Sequence, residues 1–316
     1  MSMVNTSFAL AGVEFKNRVL VASGTFGYGD ECLDLVDVNT LGGIITKSLS
    51  LNPRDGNPPV RIVETPCGML NSIGLANIGV DKFVSEKLPF LRTVDTVVIA
   101  NIAASTIDEY CEVLAILESH DGVDGYEINV SCPNVKDGGL SFGTNLDLTQ
   151  EITRRLRSMT RRPLIIKLTP NVAYISEFAR AVEDAGADAV SVINTIIGMA
   201  VDVKQRKALL PTVTGGLSGP AIKPVALAKV YEASRAVKIP VLGIGGIMTT
   251  EDAIEFLMVG AAAVQVGTAN FIDPGAGTKI AHGIRRFCED QHLEDVGSLV
   301  GCLEAEVDAS VLHSWL

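Results

Sequence analysis

The chain has no Cys-x-x-Cys pair among its six cysteines, which stand at positions 32, 67, 111, 132, 288 and 302. This spacing excludes a zinc ribbon, or an iron–sulfur cluster held by closely spaced thiolates, within this chain. Widely separated cysteines in a chain of 316 residues are typical of large cytosolic proteins that keep their thiols reduced. We therefore expect a cytoplasmic protein.

Positive charge and aromatic side chains are also scarce. Lys and Arg number 26 against 37 Asp and Glu, the net charge is -11, and aromatic residues make up 5% of the chain. The acidic balance argues against a general binder of nucleic acids or anionic membranes. The shortage of aromatic residues argues against a stacking platform for single strands. An acidic chain with 47% hydrophobic residues and 30 glycines is typical of a cytosolic α/β enzyme.

Long apolar runs are missing as well. The longest uncharged stretch, residues 256–272, includes Gln265, Thr268 and Asn270. It is shorter than the roughly 18–20 apolar residues that span a bilayer. The first 20 residues lack a basic start followed by an apolar block, so we expect no signal peptide.

The most regular feature present is a run of short Val- and Ile-rich segments, each followed by a helical pattern. There are eight, at 18–24, 42–48, 96–103, 125–132, 163–170, 189–195, 240–246 and 262–268. Nearly continuous apolar strands that alternate with helices indicate a parallel sheet. Eight such units predict an α/β fold of the (β/α)₈ TIM-barrel type, with an open doubly wound sheet as the alternative.

The chain length bears on the number of domains. At about 150 residues per domain, 316 residues suggest two domains, but a (β/α)₈ barrel uses about 250 as one. We therefore expect one barrel domain over residues 1–316, with the excess in extended βα loops over the active site. Two insertions, at 50–80 and 196–220, are the longest such loops.

Two glycine turns follow the last two predicted strands, at 243–247 and 265–269. Barrels frequently bind phosphate with these loops, because glycine lets backbone N–H groups approach an anion. A dinucleotide fingerprint is absent, since Gly243 and Gly245 are followed by Met248 where a third glycine would stand. A mononucleotide such as FMN therefore fits better than NAD.

The segment at 127–143 is the strongest candidate for chemistry. Cys132 ends the fourth predicted strand and is followed by Pro133 and a glycine-rich loop. No histidine lies at a predicted strand end, which argues against a Cys–His hydrolase. A thiol among asparagines suits proton transfer.

Other polar residues are predicted at the same end of the barrel. They are the asparagines Asn71, Asn101, Asn129, Asn134 and Asn194, and the lysines Lys47 and Lys167. Asparagines offer donors and acceptors without charge, so several together could read a ring that carries C=O and N–H groups. A lysine in a barrel mouth is costly to bury unless it meets an anion.

These motifs resemble the class I dihydroorotate dehydrogenases, soluble flavoenzymes of pyrimidine synthesis. The resemblance covers nearly the whole chain and is carried by ASGTFG (22–27), ITKSL (45–49), NSIGLAN (71–77), NVSCPN (129–134), INTIIGMAVD (193–202), GGLSGPAIKPVAL (215–227) and GIGGI (243–247). Several of these are most similar to class IB, the NAD-linked type. The membrane-bound class II enzymes use Ser as base and have an N-terminal helical extension, whereas Cys132 stands at the base position here.

The resemblance implies roles for individual residues. Cys132 matches the catalytic base. The residues that match orotate contacts are Lys47, Asn71, Ser72, Ile73, Gly74, Leu75, Asn129, Asn134, Asn194 and Thr195. The residues that match FMN contacts are Ser23, Lys47, Ser48, Asn101, Asn129, Lys167, Ile193, Gly219, Gly245, Gly246, Gly267 and Thr268.

The same resemblance implies a reaction and a partner. Cys132 would remove a proton from C5 of dihydroorotate while hydride passes from C6 to FMN. Class IB enzymes pass electrons to NAD⁺ through a second subunit that carries FAD and a [2Fe–2S] cluster, so an α₂β₂ assembly is expected. Three alternatives stay open: a fumarate-dependent class IA enzyme, a related dihydropyrimidine dehydrogenase, and a phosphosugar aldolase or isomerase with a Schiff base at Lys167.

Overall fold

The computed structural model describes residues 4–131 and 142–304. The strands are β1 (Phe8–Leu10), β2 (Val13–Phe15), β3 (Val19–Val21), β4 (Gly43–Ile45), β5 (Ile62–Thr65), β6 (Gly68–Asn71), β7 (Val97–Ile102), β8 (Gly125–Asn129), β9 (Leu164–Leu168), β10 (Ala189–Val192), β11 (Ile196–Met199), β12 (Val201–Asp202), β13 (Lys207–Ala208), β14 (Thr214–Ser218), β15 (Val241–Ile244) and β16 (Ala261–Val266).

The helices alternate with the longer strands. They are α1 (Val80–Lys82), which continues through a π-helical stretch (Phe83–Lys87) into α2 (Leu88–Leu91), then α3 (Ile107–Glu118), α4 (Leu146–Arg157), α5 (Ile175–Asp184), α6 (Lys223–Ser234), α7 (Thr250–Met258), α8 (Ala269–Ile272) and α9 (Ala276–Asp290). Short 3₁₀ helices cover Asp30–Cys32, Val38–Thr40, Phe142–Thr144, Pro220–Ile222 and Val296–Leu299. Within these residues, no helix is both long and apolar enough to cross a membrane.

Eight strands close into a parallel barrel in the order β3-β4-β7-β8-β9-β10-β15-β16. Each lies inside or overlaps one of the eight segments predicted from the sequence, so the (β/α)₈ prediction is confirmed and the open sheet is wrong. Because all eight strands are parallel, their carboxyl ends meet at one face of the barrel. The polar residues predicted at the strand ends are therefore brought together there.

The helices begin where the sequence provides caps. The side chains of Thr106, Asn145 and Thr249 accept hydrogen bonds from the backbone N–H groups of the first turns of α3, α4 and α7. At α7 the cap is reciprocal, because Asp252 also accepts from the backbone N–H of Thr249. Such caps satisfy N–H groups that have no partner within the helix and fix where each βα loop ends.

The N-terminal hairpin closes one end of the barrel. Strands β1 and β2 pair in antiparallel register, and the rings of Phe8 and Phe15 stack with centroids 4.5 Å apart. With Leu10 they pack in one buried cluster with Leu20 and Val97 from the barrel strands. This apolar plug leaves the opposite, carboxyl end of the barrel for a ligand.

The two long insertions meet over that carboxyl end. Residues from 50–80 provide β5 and β6, residues from 196–220 provide β11 and β14, and together they form one sheet in the order β11-β14-β6-β5. Its central pairing aligns Gly216 with Asn71. We call this four-stranded sheet the roof. The insertions thus join into one structure, although they follow different barrel strands.

Candidate active site at the carboxyl ends of the barrel strands

A cavity of about 500 Å³ lies between the barrel strand ends and the roof. This volume is within the range of cavities that bind cofactors and small substrates. The predicted site residues that line it are Ser23, Lys47, Ser48, Asn71, Ser72, Ile73, Gly74, Leu75, Asn129, Lys167, Ile193, Asn194, Thr195, Gly219, Gly245, Gly246, Gly267 and Thr268. The structure therefore brings together residues that are up to 245 positions apart in the sequence.

Asparagines from two strand ends are hydrogen-bonded to each other at the cavity wall. Asn194 donates from Nδ2 to Asn129 Oδ1 at 3.1 Å and to Ser131 Oγ at 2.9 Å. The backbone N–H of Ser131 donates to the same Asn129 oxygen at 3.2 Å. These contacts fix the amide orientations, so each side chain presents a defined edge to a ligand.

The loop at 71–75 is held from the roof and from its neighbours. Asn71 donates from Nδ2 to the backbone oxygen of Gly216 at 3.1 Å, and Asn57 donates to Ser72 Oγ at 2.8 Å. Gly74 and Leu75 both have positive φ, of 71° and 56°. For Leu75 this conformation is uncommon, and such backbone strain is concentrated at ligand-binding sites.

The two predicted lysines have different surroundings. Lys47 is half-buried and lines the cavity, and its ammonium forms no hydrogen bond or ion pair within the described part of the chain. Lys167 is buried, with Nζ 3.6 Å from Glu127 Oε1. Lys47 is therefore free to bind an anionic ligand, whereas Lys167 already has a counter-ion.

The glycine turns form a surface without side chains beside the cavity. Gly219, Gly245 and Gly246 have φ of 90°, 131° and 76°. A Cβ on Gly246 would lie 2.8 Å from Lys223 Cβ and 2.9 Å from the Gly219 oxygen. Within residues 4–131 and 142–304, the backbone N–H groups of Gly246 and Thr268 donate to no acceptor. Such N–H groups suit a phosphate.

Comparison with known proteins agrees with this geometry. The family model for dihydroorotate dehydrogenase matches residues 5–288. The chain belongs to the dihydroorotate dehydrogenase family. It is 54% identical over 303 residues to the "Dihydroorotate dehydrogenase B (NAD(+)), catalytic subunit" of Geotalea uraniireducens, covering 96% of this chain and 99% of that protein.

Proteins of the same name from other bacteria are similarly close. That of Geobacter sulfurreducens is 53% identical over 304 residues, covering 96% of this chain and all of the relative. That of a Thermoanaerobacter species is 50% identical over 303 residues, with 96% and 100% covered. The resemblance to class IB predicted from the motifs is confirmed.

Dihydroorotate dehydrogenases bind FMN, and the cavity can be tested against that group. FMN needs an anion site for its phosphate and a polar but largely uncharged pocket for its ring. The side-chain-free turns at Gly219, Gly245 and Gly246 and the unpaired N–H groups beside them suit the phosphate. Asn129 and Lys167 line the cavity and offer donors for ring oxygens and nitrogens. The residues present fit the cofactor.

Asn101, which the resemblance assigns to the FMN contacts, is bonded to two neighbouring side chains, and its role toward FMN stays a prediction. Its side chain is fully buried beneath the cavity and does not line it. It accepts from Ser48 Oγ at 2.6 Å and donates to Glu127 Oε1 at 2.7 Å. The buried Glu127 carboxylate therefore orients the Asn101 amide. Asn101 therefore supports Ser48, which does line the cavity.

Two predicted site residues, Cys132 and Asn134, lie outside the described residues. The chain is described up to Ser131, whose Oγ is bonded to Asn194. The role of Cys132 as a base and that of Asn134 as an orotate contact stay predictions.

The sequence reasoning missed several residues of this region. Asn57 from the first insertion, Met69 and Ser218 from the roof, and Phe271 from α8 line the cavity. Glu127 was read as part of a strand, although a carboxylate in an otherwise apolar buried segment is a signal in itself. The roof residues carried no comparable signal, because they approach the site only through pairing between distant insertions.

Proposed function

We propose that this protein oxidises dihydroorotate to orotate with bound FMN, in the de novo synthesis of pyrimidines. The observation that carries the proposal is the Lys47 ammonium, which pairs with no group among residues 4–131 and 142–304, in a cavity walled by Asn71, Asn129 and Asn194. An ammonium without a counter-ion suits the ring carboxylate, and the amides suit the alternating C=O and N–H groups of a pyrimidine. Residues 1–316 would serve as one FMN-binding barrel domain.

Bound FMN supplies the two-electron acceptor that oxidation of a carbon–carbon single bond requires, which side chains do not provide. The chain's own residues bind and orient the substrate. Lys47 holds the carboxylate, and Asn71, Asn129 and Asn194 fix the ring edge. Cys132 removes the proton from C5 as the general base, and Asn134 completes the polar contacts. The roof covers the cavity from the side opposite the barrel strand ends.

We further propose that the electrons pass to NAD⁺ through a partner subunit that carries FAD and a [2Fe–2S] cluster, in an α₂β₂ heterotetramer. The relatives named above are called NAD(+)-type catalytic subunits, which supports a separate partner. This chain has no dinucleotide fingerprint and no cluster-ligand spacing of its own. Co-expression followed by copurification tests the assembly, and efficient fumarate reduction by the chain alone would indicate class IA instead.

The decisive experiment is a visible absorption spectrum of the purified protein without oxygen. The expected result is an FMN spectrum that is bleached by dihydroorotate and is unaffected by dihydrouracil. Bleaching by dihydrouracil would indicate a dihydropyrimidine dehydrogenase. A colourless protein that FMN does not reconstitute would support the aldolase alternative. That alternative is already weakened, because Lys167 faces the Glu127 carboxylate rather than the apolar surroundings that activate Schiff-base lysines.

A further inference from the structure

A fully buried carboxylate lies inside the barrel below the cavity. Glu127, on β8, accepts from Asn101 Nδ2 through Oε1 at 2.7 Å. Its other oxygen accepts from Ser191 Oγ and Gln265 Nε2, both at 2.7 Å. All four side chains are wholly inaccessible to solvent. Glu127 thereby links strands β7, β8, β10 and β16 across the barrel interior.

Two sets of side-chain contacts connect Glu127 to the cavity. Lys167, on β9, has its ammonium 3.6 Å from Glu127 Oε1 and lines the cavity. Asn101 bonds to Ser48, which also lines it. One buried carboxylate thus determines where two cavity groups stand.

Burying the Glu127–Lys167 ion pair costs free energy, so stability alone does not explain why it is there. Burying an ion pair loses hydration that the mutual attraction of the two charges often does not recover, and an apolar replacement of similar size is often as stable. Apolar side chains can also fill the barrel interior, since Leu20, Ile45 and Ile165 are buried there. A role of the Glu127 charge in the function of the cavity explains its presence better.

We propose that Glu127 is a positioning residue that holds Lys167 and Asn101 at the base of the cavity that would bind FMN and, through its negative charge, lowers the reduction potential of FMN bound there. This inference rests on the proposed function. Reduction adds negative charge to the ring system, which the Lys167 ammonium favours. Glu127 offsets that ammonium, because opposite charges this close nearly cancel at a distance.

The test compares the reduction potentials of FMN-loaded variants by titration against reference dyes. Glu127→Gln keeps the size of the side chain and removes its charge, so Lys167 is left uncompensated. We expect the equilibrium constant for flavin reduction to rise about tenfold or more, which is about 30 mV for a two-electron couple. Ser191→Ala removes one hydrogen bond and keeps the charge, so its potential should equal that of the wild type.

A double-mutant cycle with Lys167→Gln separates the effect of the Glu127 charge from a purely structural role of Glu127. That variant should lower the potential, and Glu127→Gln/Lys167→Gln, again without net charge, should return close to the wild-type value. If Glu127→Gln alone does not fold, the comparison of Lys167→Gln with the double variant still isolates the effect of Glu127. A wild-type potential in Glu127→Gln, or equal potentials in Lys167→Gln and the double variant, would overturn the proposal.

Dye titration does not involve dihydroorotate, so this result is independent of the substrate assignment. Failure of the proposed function would appear in the wild type itself, as absent FMN or as flavin that dihydroorotate does not bleach.

Discussion

Asn194 on one strand end donates to Asn129 on another, with 3.1 Å between Nδ2 and Oδ1. The two residues are 65 positions apart in the sequence and end strands that do not neighbour each other in the barrel. The same amide nitrogen donates to Ser131. The wall of the cavity is thus a hydrogen-bonded unit, and a ligand meets a surface whose donors and acceptors are already oriented.

Asn194→Asp should therefore weaken orotate binding. The substitution keeps the size and the acceptor for the Thr195 backbone N–H, but it places an anionic oxygen against Asn129 Oδ1 and adds negative charge to the cavity proposed to bind anionic orotate. We expect binding to be roughly 10–100-fold weaker, measured by titration of the flavin spectrum. Asn52→Asp adds the same charge at an exposed position away from the cavity and should bind normally. Equal affinities for the two variants would contradict the prediction.

Lys47→Gln tests the unpaired ammonium. A charge-assisted hydrogen bond to a carboxylate contributes about 1.5–3 kcal/mol, so orotate affinity should fall roughly 10–100-fold. Stability should change little, because no described side chain pairs with Lys47. Lys16→Gln, which removes a surface partner of Asp95, is the control for charge. An unchanged orotate titration in Lys47→Gln would remove the lysine from carboxylate binding.

Cys132→Ala tests the proposed base. Loss of a general base typically slows a reaction about 10²–10⁴-fold, so reduction of FMN by dihydroorotate should slow by this factor. Orotate binding should persist, because the cavity wall at Asn129 and Asn194 is untouched. Stopped-flow absorbance measures the rate, and Cys302→Ala, at an exposed thiol, is the control. Reduction at the wild-type rate would require another base.

Gly246→Ala should release FMN. The residue has φ of 76°, and a Cβ would meet Lys223 and Gly219 at less than 3.0 Å. We expect a loss of roughly 1–3 kcal/mol in stability and a lower FMN content. Gly12→Ala is the matched control for backbone strain, because φ at Gly12 is 85° and no described atom lies within 4 Å of the added Cβ. It should lose some stability and retain full FMN, as measured by absorbance per chain. Loss of FMN in both variants would indicate a general effect of unfolding.

Ionisation of the Asp252 carboxyl makes the free energy of unfolding depend on pH. Partial burial opposes its ionisation, but hydrogen bonds from Lys223 and from the Met248 and Thr249 backbone N–H groups outweigh this and lower the pKa of its carboxyl. The contribution to stability is therefore complete above the unfolded value of about 3.9 and disappears as pH falls below it. These hydrogen bonds hold residues 248–252, which follow Gly246 after one intervening residue.

Asp252→Asn should accordingly destabilise the protein by roughly 1–2 kcal/mol at neutral pH. The difference from wild type should stay constant from pH 8 to 5 and shrink below about pH 4. Chemical denaturation at several pH values measures it. Asp290→Asn, at an exposed carboxylate 4.0 Å from Arg286, should show little difference at any pH. A difference for Asp252→Asn that does not depend on pH would exclude the charge as its cause.

The sequence predicted the barrel well because its signal is local. A run such as 163–170 is apolar except at Lys167 and Thr169 and is buried on both faces, and the structure has β9 within it. The predicted segments extend beyond the strands, as 189–195 does beyond β10, which ends at Val192. Beyond β10 the backbone N–H groups of Ile193 and Asn194 still donate to Ile244 and Leu168 of the adjacent strands, and these residues line the cavity.

The roof and the buried network were not predicted, for a different physical reason. The pairing of Gly216 with Asn71 is decided by where the barrel places the ends of two insertions, which no local pattern records. Glu127 was visible as a charged residue in a strand, but its partners Ser191 and Gln265 come from other strands. The Asn101 amide is oriented by its hydrogen bond to that same carboxylate.

The roof also has a consequence for synthesis of the chain. Asn71 cannot meet Gly216 until 145 further residues have been made, and β3 cannot close the barrel until β16 has been made. Lys47 and the loop at 71–75 therefore leave the ribosome long before any pocket exists to contain them. Cofactor capture must await almost the entire polypeptide, so a truncated product released earlier carries no flavin.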